Sequence, residues 1–387
     1  MNDPLFIISA SVLASYLFLL LIKVAFSWYY AARHREVQTE DQPVTILQPI
    51  LSGDPFLEED LRHNINTVTG QVQFLWLVDE DDAEGRRITE LLTNETHGKV
   101  TVLLCPPLSE TVNPKTFKLQ LGLQEVNTEY VAVLDDDTRL DVDNIGKAIY
   151  CLHSCDLYTG LPIYSPGKGL WSALVAQFVN NNNIMTYLPL LPLTEPLSLN
   201  GMFYVIRTSG LRDLGGFSSI QTKLCDDYAL AKLVTSSGGK IRQGITPQYL
   251  RTSVENGGQY FRLMHRWFVF AQVLVTDQSV FTQLLLFVLL GLPPFLLWLS
   301  IISVLCGWWG VIALGSVLLI RHCIIRLLQR VVFAKLPGFS WWLSILAELL
   351  QPIHLLHALI QKTIRWRSRT IRVSGDGGFR YLSRGDS

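Results

Sequence analysis

The chain has 387 residues, a formal net charge of −1 and 49% hydrophobic residues, with a mean hydropathy of +0.27. A charge so near zero excludes bulk electrostatic attraction to nucleic acid, and the hydropathy points to segments that sit in lipid. Six cysteines without a C-x-x-C pair exclude a zinc ribbon and read as free thiols in a reducing compartment.

Residues 5–30 form one apolar run, broken by small hydroxylic residues and Lys23. At ~1.5 Å per residue the run is long enough to cross a bilayer. Arg33, His34 and Arg35 follow it, the reverse of a cleaved signal peptide. This makes residues 1–35 an anchor, and by the positive-inside rule the chain after Arg35 is expected in the cytosol. Residues 36–257 read as an α/β domain. Short apolar strands are expected at 44–47, 74–78, 100–104 and Tyr130–Leu134, with helical spacing at 58–68 and 116–126 between them. That alternation predicts a parallel, doubly covered sheet, which binds ligands at the carboxyl ends of its strands.

Acidic clusters stand where such ligands bind. Asp79-Glu80-Asp81-Asp82 follows the second strand, where a carboxylate can hydrogen-bond a nucleotide, although a polar loop has the same composition. Asn113-Pro114-Lys115 precedes a helix, where a lysine can reach a phosphate, although a solvated lysine is the commoner case. Asp135-Asp136-Asp137 follows the fourth strand without a break. Three adjacent carboxylates repel unless a cation offsets them. The spacing of Asp135 and Asp137 lets both reach one Mg2+ or Mn2+ ion, which also takes phosphate oxygens. A solvated turn is the alternative. Asp226-Asp227 precedes a helix at 228–234. Asp226 has the character of an N-cap, which leaves Asp227 for proton transfer.

Residues 258–278 are expected at the interface, because the helix at 257–270 interleaves aromatic residues with Arg262, His265 and Arg266. An ordinary buried amphipathic helix fits the same composition. Residues 279–387 form a membrane region with a basic tail. The run 280–305 spans, with a kink at Gly291 and Pro293-Pro294. The run 308–320 spans and ends on Arg321, His322, Arg326 and Arg330, which are expected at a cytosolic surface. Trp341–Ile360 contains Glu348, Gln351, Pro352, His354 and His357, so a re-entrant or interfacial segment is expected. The basic tail 362–369 then shares the cytosolic side with the α/β domain.

In their order, these features resemble the ceramide glucosyltransferase family and its relatives among the family-two inverting glycosyltransferases. The features are an N-terminal span, Asp79, Asn113-Pro114-Lys115, Asp135-Asp136-Asp137, Gly201-Met202, Asp226-Asp227-Tyr228 and Arg266-Trp267 before the C-terminal spans. The resemblance covers residue 43 to the basic tail. It implies a GT-A fold with N- and C-terminal transmembrane helices, a multi-pass protein whose catalytic domain faces the cytosol. The implied donor is a UDP-sugar, glucose above all, and the implied acceptor is a membrane lipid such as ceramide. Asp79 and Asp82 match the first acidic motif, which contacts the nucleotide. Asp135 matches the second family aspartate and with Asp137 completes the metal pair for Mg2+ or Mn2+. Asp227 matches the third aspartate, the general base. Arg266 would bind the diphosphate, and Trp267 would shape the acceptor site. Leu263 stands where the family carries Gln or Arg before the Arg-Trp pair. A processive polysaccharide synthase and a catalytically inactive scaffold or transporter subunit are the rival readings. The residues fix no oligomeric state.

Overall fold

The computed structural model describes residues 4–35, 37–96, 98–107, 112–333, 335, 337–366, 369–373 and 378–384. Arg367 and Ser368 of the basic tail lie outside the described residues. The chain forms two compact units. A helical unit comprises 1–34, 164–195 and 252–364, and an α/β unit comprises 35–163, 196–251 and 365–387.

The main sheet of the α/β unit is built from β1 (Val44–Ile50), β2 (Val72–Asp79), β3 (Val100–Cys105), β4 (Tyr130–Leu134), β5 (Thr138–Leu140), β6 (Leu157–Pro166), β7 (Phe203–Arg207) and β8 (Ile241–Thr252). They form one sheet in the order β3-β2-β1-β4-β7-β6-β8-β5. The pairs β1/β2, β2/β3 and β1/β4 are parallel, as the strand–helix alternation predicts. The pairs β4/β7, β6/β7 and β5/β8 are antiparallel, so the sheet is mixed rather than wholly parallel. The change comes after β4: the later connections also contain helices, but the one from β6 to β7 brings the chain back antiparallel to β6 instead of crossing over to a parallel strand.

Successive strand residues face opposite sides, and both sides are covered. Ile46, Phe74, Trp76, Ala132 and Leu134 pack into one core. Leu47, Leu75, Leu77, Val131 and Val133 pack into the other. On the second face the helix Pro114–Glu125 lies so close that a Cβ at Gly122 would come within 2.9 Å of Leu77 and 3.0 Å of Leu47. The tail returns to this unit, where Lys223 and Gly378 form an isolated antiparallel bridge.

Among the described residues of the helical unit, four helical segments are long and apolar enough to cross a membrane: Pro4–Arg33, Val280–Cys306, Trp308–Val332 and Trp341–Ile360. The second carries a π-turn at Phe287–Gly291 directly before Leu292 and the two prolines. Proline lacks the N–H of a regular turn, and a π-turn is how a helix absorbs that loss. The third helix continues through Arg321, His322, Arg326 and Arg330. Arg321 is 2% exposed and pairs with Glu348 at 2.7 Å. It therefore departs from the expected basic surface, and the carboxylate within Trp341–Ile360 has a partner. The helix Gly257–Thr276 is six residues longer than its aromatic stretch indicated. It buries Tyr260, Met264, His265, Val269 and Val273, a regular helical stripe. Its Tyr260 hydroxyl lies 3.1 Å from His354 Nε2.

Candidate active site

Three segments meet at the carboxyl ends of β1, β2 and β4. Asp79 is the last residue of β2, and Asp135 follows β4. One strand separates them, roughly 10 Å at ordinary strand spacing. The Asp135 N–H donates to the Met202 carbonyl at 2.9 Å, which holds the Gly201-Met202 turn beside Asp135. The helix Asp226–Ser236 opens at the same place. Its N-cap is Cys225, with no side-chain cap bond. Asp226 is therefore the first helical residue rather than the expected cap, and its carboxylate is free to face the site.

The helix Pro114–Glu125 supplies two lysines one turn apart. Asn113 caps it, accepting from the Lys115 N–H at 3.0 Å, and its amide donates to the Lys223 carbonyl at 3.1 Å. This ties the helix start to the segment leading into Asp226. Lys115 Nζ lies 2.7 Å from Asp135 Oδ1 and 3.5 Å from Asp226 Oδ2, and donates to the Gly201 carbonyl at 3.1 Å. Lys118 Nζ reaches Asp79 Oδ2 at 2.7 Å and the Ile50 carbonyl at 2.9 Å.

Asp227 completes the group. Its Oδ1 is buried with no hydrogen-bond partner. It lies so close to Gly201 that a Cβ there would sit 1.7 Å from that oxygen. Burial first, then repulsion from Asp226, push the Asp227 carboxyl up to about 8, against the pull of Lys115. Burial alone would discharge Lys115, but Asp135, Asp226 and Asp227 outweigh it and hold the ammonium well above its usual range. Burial likewise raises Asp135 despite Lys115. Lys115 and Asp135 keep 20% and 31% of their side chains accessible, so solvent reaches the pair and tempers both effects.

Asp137 is raised well above the carboxylate range by burial and then by Asp135, Asp136 and Asp54. It accepts a hydrogen bond from the Thr138 hydroxyl at 3.2 Å. Asp136 is turned away and accepts the Leu51 N–H at 2.8 Å. Among the described residues, no group of three or more His, Cys, Asp or Glu side chains forms a metal cage. A Mg2+-type ion needs only one or two carboxylates when phosphate oxygens complete its shell, and the mutual repulsion of Asp135 and Asp137 fits such an ion.

Asp82 is placed differently. It caps the helix Ala83–Glu95, accepting from the Gly85 N–H at 2.9 Å, and accepts from the Ser52 N–H and hydroxyl at 2.8 and 2.6 Å. Burial opposes its charge, yet the Ser52 and Gly85 bonds hold it below its ordinary value. Arg266 and Trp267 belong to the helical unit, where Trp267 stacks on Phe178 at 6.1 Å and meets Tyr164 edge-on at 6.4 Å. Sequence reasoning passed over Lys118 and Ser52. The i, i+3 spacing of Lys115 and Lys118 was the one available signal for the former.

The profile of glycosyl transferase family 21 matches residues 5–378. Ceramide glucosyltransferase 1 of Caenorhabditis elegans is 20% identical over 381 residues, 96% of this chain and 81% of that one. The mannosyltransferase PcManGT of Pyrobaculum calidifontis, solved with GDP-Man and Mn2+, superimposes with a TM-score of 0.51 at 15% identity, covering 92% of this chain and 98% of that one. The α/β unit thus has the GT-A fold.

Proposed function

Because the chain belongs to glycosyl transferase family 21, and is therefore a glycosyltransferase, we propose that it transfers glucose from a UDP-sugar to the hydroxyl of a membrane lipid of the ceramide type, inverting the anomeric centre. The observation that carries this is the convergence of Asp135, Asp226 and Asp227 on Lys115 at the strand ends. The likeness to a ceramide glucosyltransferase supports the acceptor. The nucleotide-sugar and Mn2+ of the mannosyltransferase support the donor class and a divalent ion.

Asp227 removes the acceptor proton. A carboxyl whose affinity for protons is raised by burial is a stronger base, once ionised, than a solvated one. The freed oxygen forms the new bond to the anomeric carbon while the bond from that carbon to the UDP oxygen breaks. Asp79, fixed by Lys118, faces the nucleotide, and Asp82 supports that contact by fixing Ser52. Lys115 holds Asp135 and stands ready for phosphate oxygens. Held by Asp135 and Asp137, Mg2+ or Mn2+ would offset charge on the departing diphosphate. Arg266 assists at the diphosphate, and Trp267 shapes the acceptor site.

The catalytic unit faces the cytosol in this reading. The basic end of the first span supports that, as does the return of the tail to the α/β unit. A tail on the same side as that unit requires an even number of crossings between residues 252 and 365. Of the three candidate spans there, one then fails to cross fully, and Trp341–Ile360 is the one assigned. The test is to incubate the purified full chain with UDP-glucose or GDP-mannose, ceramide or diacylglycerol, and Mg2+, Mn2+ or chelator, with mass spectrometry of the lipids. Glucosylceramide that forms only with UDP-glucose and a divalent ion is the expected product. A polymer, or no glycolipid with any pair, overturns the reading.

A further inference from the structure

The helical unit contains a second charged cluster that sugar transfer does not use. Lys23 lies in Pro4–Arg33, about ten residues or ~15 Å along the helix from its basic end, half the thickness of a hydrocarbon core. A lysine at such depth ordinarily snorkels to the interface. This one is 6% exposed and lines a cavity of about 30 Å³ with Tyr16, Asn182, Arg321, Glu348 and Gln351.

The partners in this cluster are unevenly shared. Arg321 is fully engaged: its Nε reaches the Tyr16 hydroxyl at 3.0 Å and Glu348 at 2.8 Å, and its Nη1 and Nη2 reach Ser344 at 2.9 and 3.1 Å. The Tyr16 hydroxyl also donates to Glu348 at 3.1 Å. Lys23 feels the charges of Glu348 and Arg321, but among the described residues it has no hydrogen bond or ion pair. Two cations thus face one carboxylate, and that carboxylate is already taken. Asn182 accepts from Thr186 at 2.9 Å and Gln351 at 3.4 Å through Oδ1, which leaves its amide N–H groups as further donors on the wall.

A buried ammonium without a counter-charge is costly, and Lys23 and the Asn182 amide both face the cavity as donors. The matching ligand is an oxyanion. About two oxygen-sized groups fit in the cavity, room for a carboxylate or for two oxygens of a phosphate, and Leu20, Leu290 and Ile325 are part of its wall, a lining suited to the apolar stem of a lipid rather than to a free hydrated ion. We propose that Lys23 and the Asn182 amide form a binding site for the phosphate or carboxylate of an anionic membrane lipid, distinct from the sugar-transfer site and sharing no residue with it.

The experiment uses the full chain in detergent micelles, with native mass spectrometry and thermal unfolding. The probes are dioleoyl phosphatidic acid, dioleoylglycerol and inorganic phosphate. The wild type should retain phosphatidic acid in preference to dioleoylglycerol and be stabilised by it. Lys23→Gln should weaken phosphatidic acid binding at least about tenfold, the effect of one lost charge-assisted hydrogen bond, while Lys23→Arg should keep most of it. The site is refuted if Lys23→Gln binds phosphatidic acid as tightly as the wild type, or if dioleoylglycerol binds the wild type equally well. Equal stabilisation by inorganic phosphate overturns the lipid as the source of the anion. The comparison of lipids on the wild type stands even if a variant fails to fold. Failure of this site leaves the transfer reading untouched.

Discussion

Each unit of this protein buries a cluster of unbalanced charge, and the imbalances have opposite signs. In the α/β unit, Asp135, Asp226 and Asp227 act on one lysine, Lys115. In the helical unit, Lys23 and Arg321 share one carboxylate, Glu348. A buried pair that is balanced and hydrogen-bonded is structural. An imbalance costs stability and underlies the sign of each ligand proposed above: a divalent cation with a nucleotide diphosphate at the first cluster, an anion at the second. The comparison also separates residues within each cluster. Asp227 and Lys23 carry the excess, whereas Arg321 and Glu348 satisfy each other.

The largest effect that tests this contrast is on chemistry. Asp227→Asn keeps the shape of the side chain and removes the base. Turnover should fall by about 10²- to 10⁴-fold with UDP-sugar affinity nearly unchanged, measured by steady-state kinetics and donor titration. Near-normal turnover would remove Asp227 from the mechanism.

Next comes the structural pair. Arg321→Met takes the ion-pair partner from the largely enclosed Glu348 and leaves it the Tyr16 hydroxyl, which should cost up to about 3–5 kcal/mol. The double substitution Arg321→Met with Glu348→Met should recover most of that loss in thermal unfolding. If the single substitution is neutral, the pair does not organise the helical unit.

Gly201→Ala sharpens the first cluster. Its Cβ would sit 1.7 Å from Asp227 Oδ1, so the carboxylate must move. A displacement of that order should cost about 10²-fold in kcat with little change in Tm.

The smallest expected effect is on pH dependence. With the Asp227 carboxyl raised to about 8, the group is protonated below that pH and a poor base. In kcat/KM, which reports the free enzyme, activity should rise with pH toward about 8 and then level. Lys115 lowers the Asp227 value, so Lys115→Met should move the rise to higher pH. A profile flat from pH 6 upward contradicts the assignment.

Much of the α/β unit was readable from local pattern. The strands at Val44–Ile50, Val72–Asp79, Val100–Cys105 and Tyr130–Leu134 announce themselves as short apolar runs, and the clusters at Asp79 and Asp135 stand at the ends of two of them. The antiparallel half of the sheet was not readable, because pairing direction depends on which distant strands meet. The N-cap of Asp226–Ser236 also escaped: Asp226 has the chemistry of a cap, but the chain enters the helix one residue earlier and turns its carboxylate toward Lys115. Arg321 misled for a related reason. A basic residue at the end of an apolar run reads as a headgroup contact, and nothing local reveals Glu348, 27 positions away.

By itself the sequence determined the classes of structure: spans from apolar length, strands and helices from period, and acidic strand ends from residue order. These are local properties, set by backbone geometry and side-chain solubility. The tertiary structure decided the pairings, giving Lys115 to Asp135, Lys118 to Asp79, Ser52 to Asp82 and Arg321 to Glu348. It also left Asp227 and Lys23 without such a partner. Pairing depends on which segments the packed core brings within about 3 Å of one another, a distance that no pattern along the chain encodes.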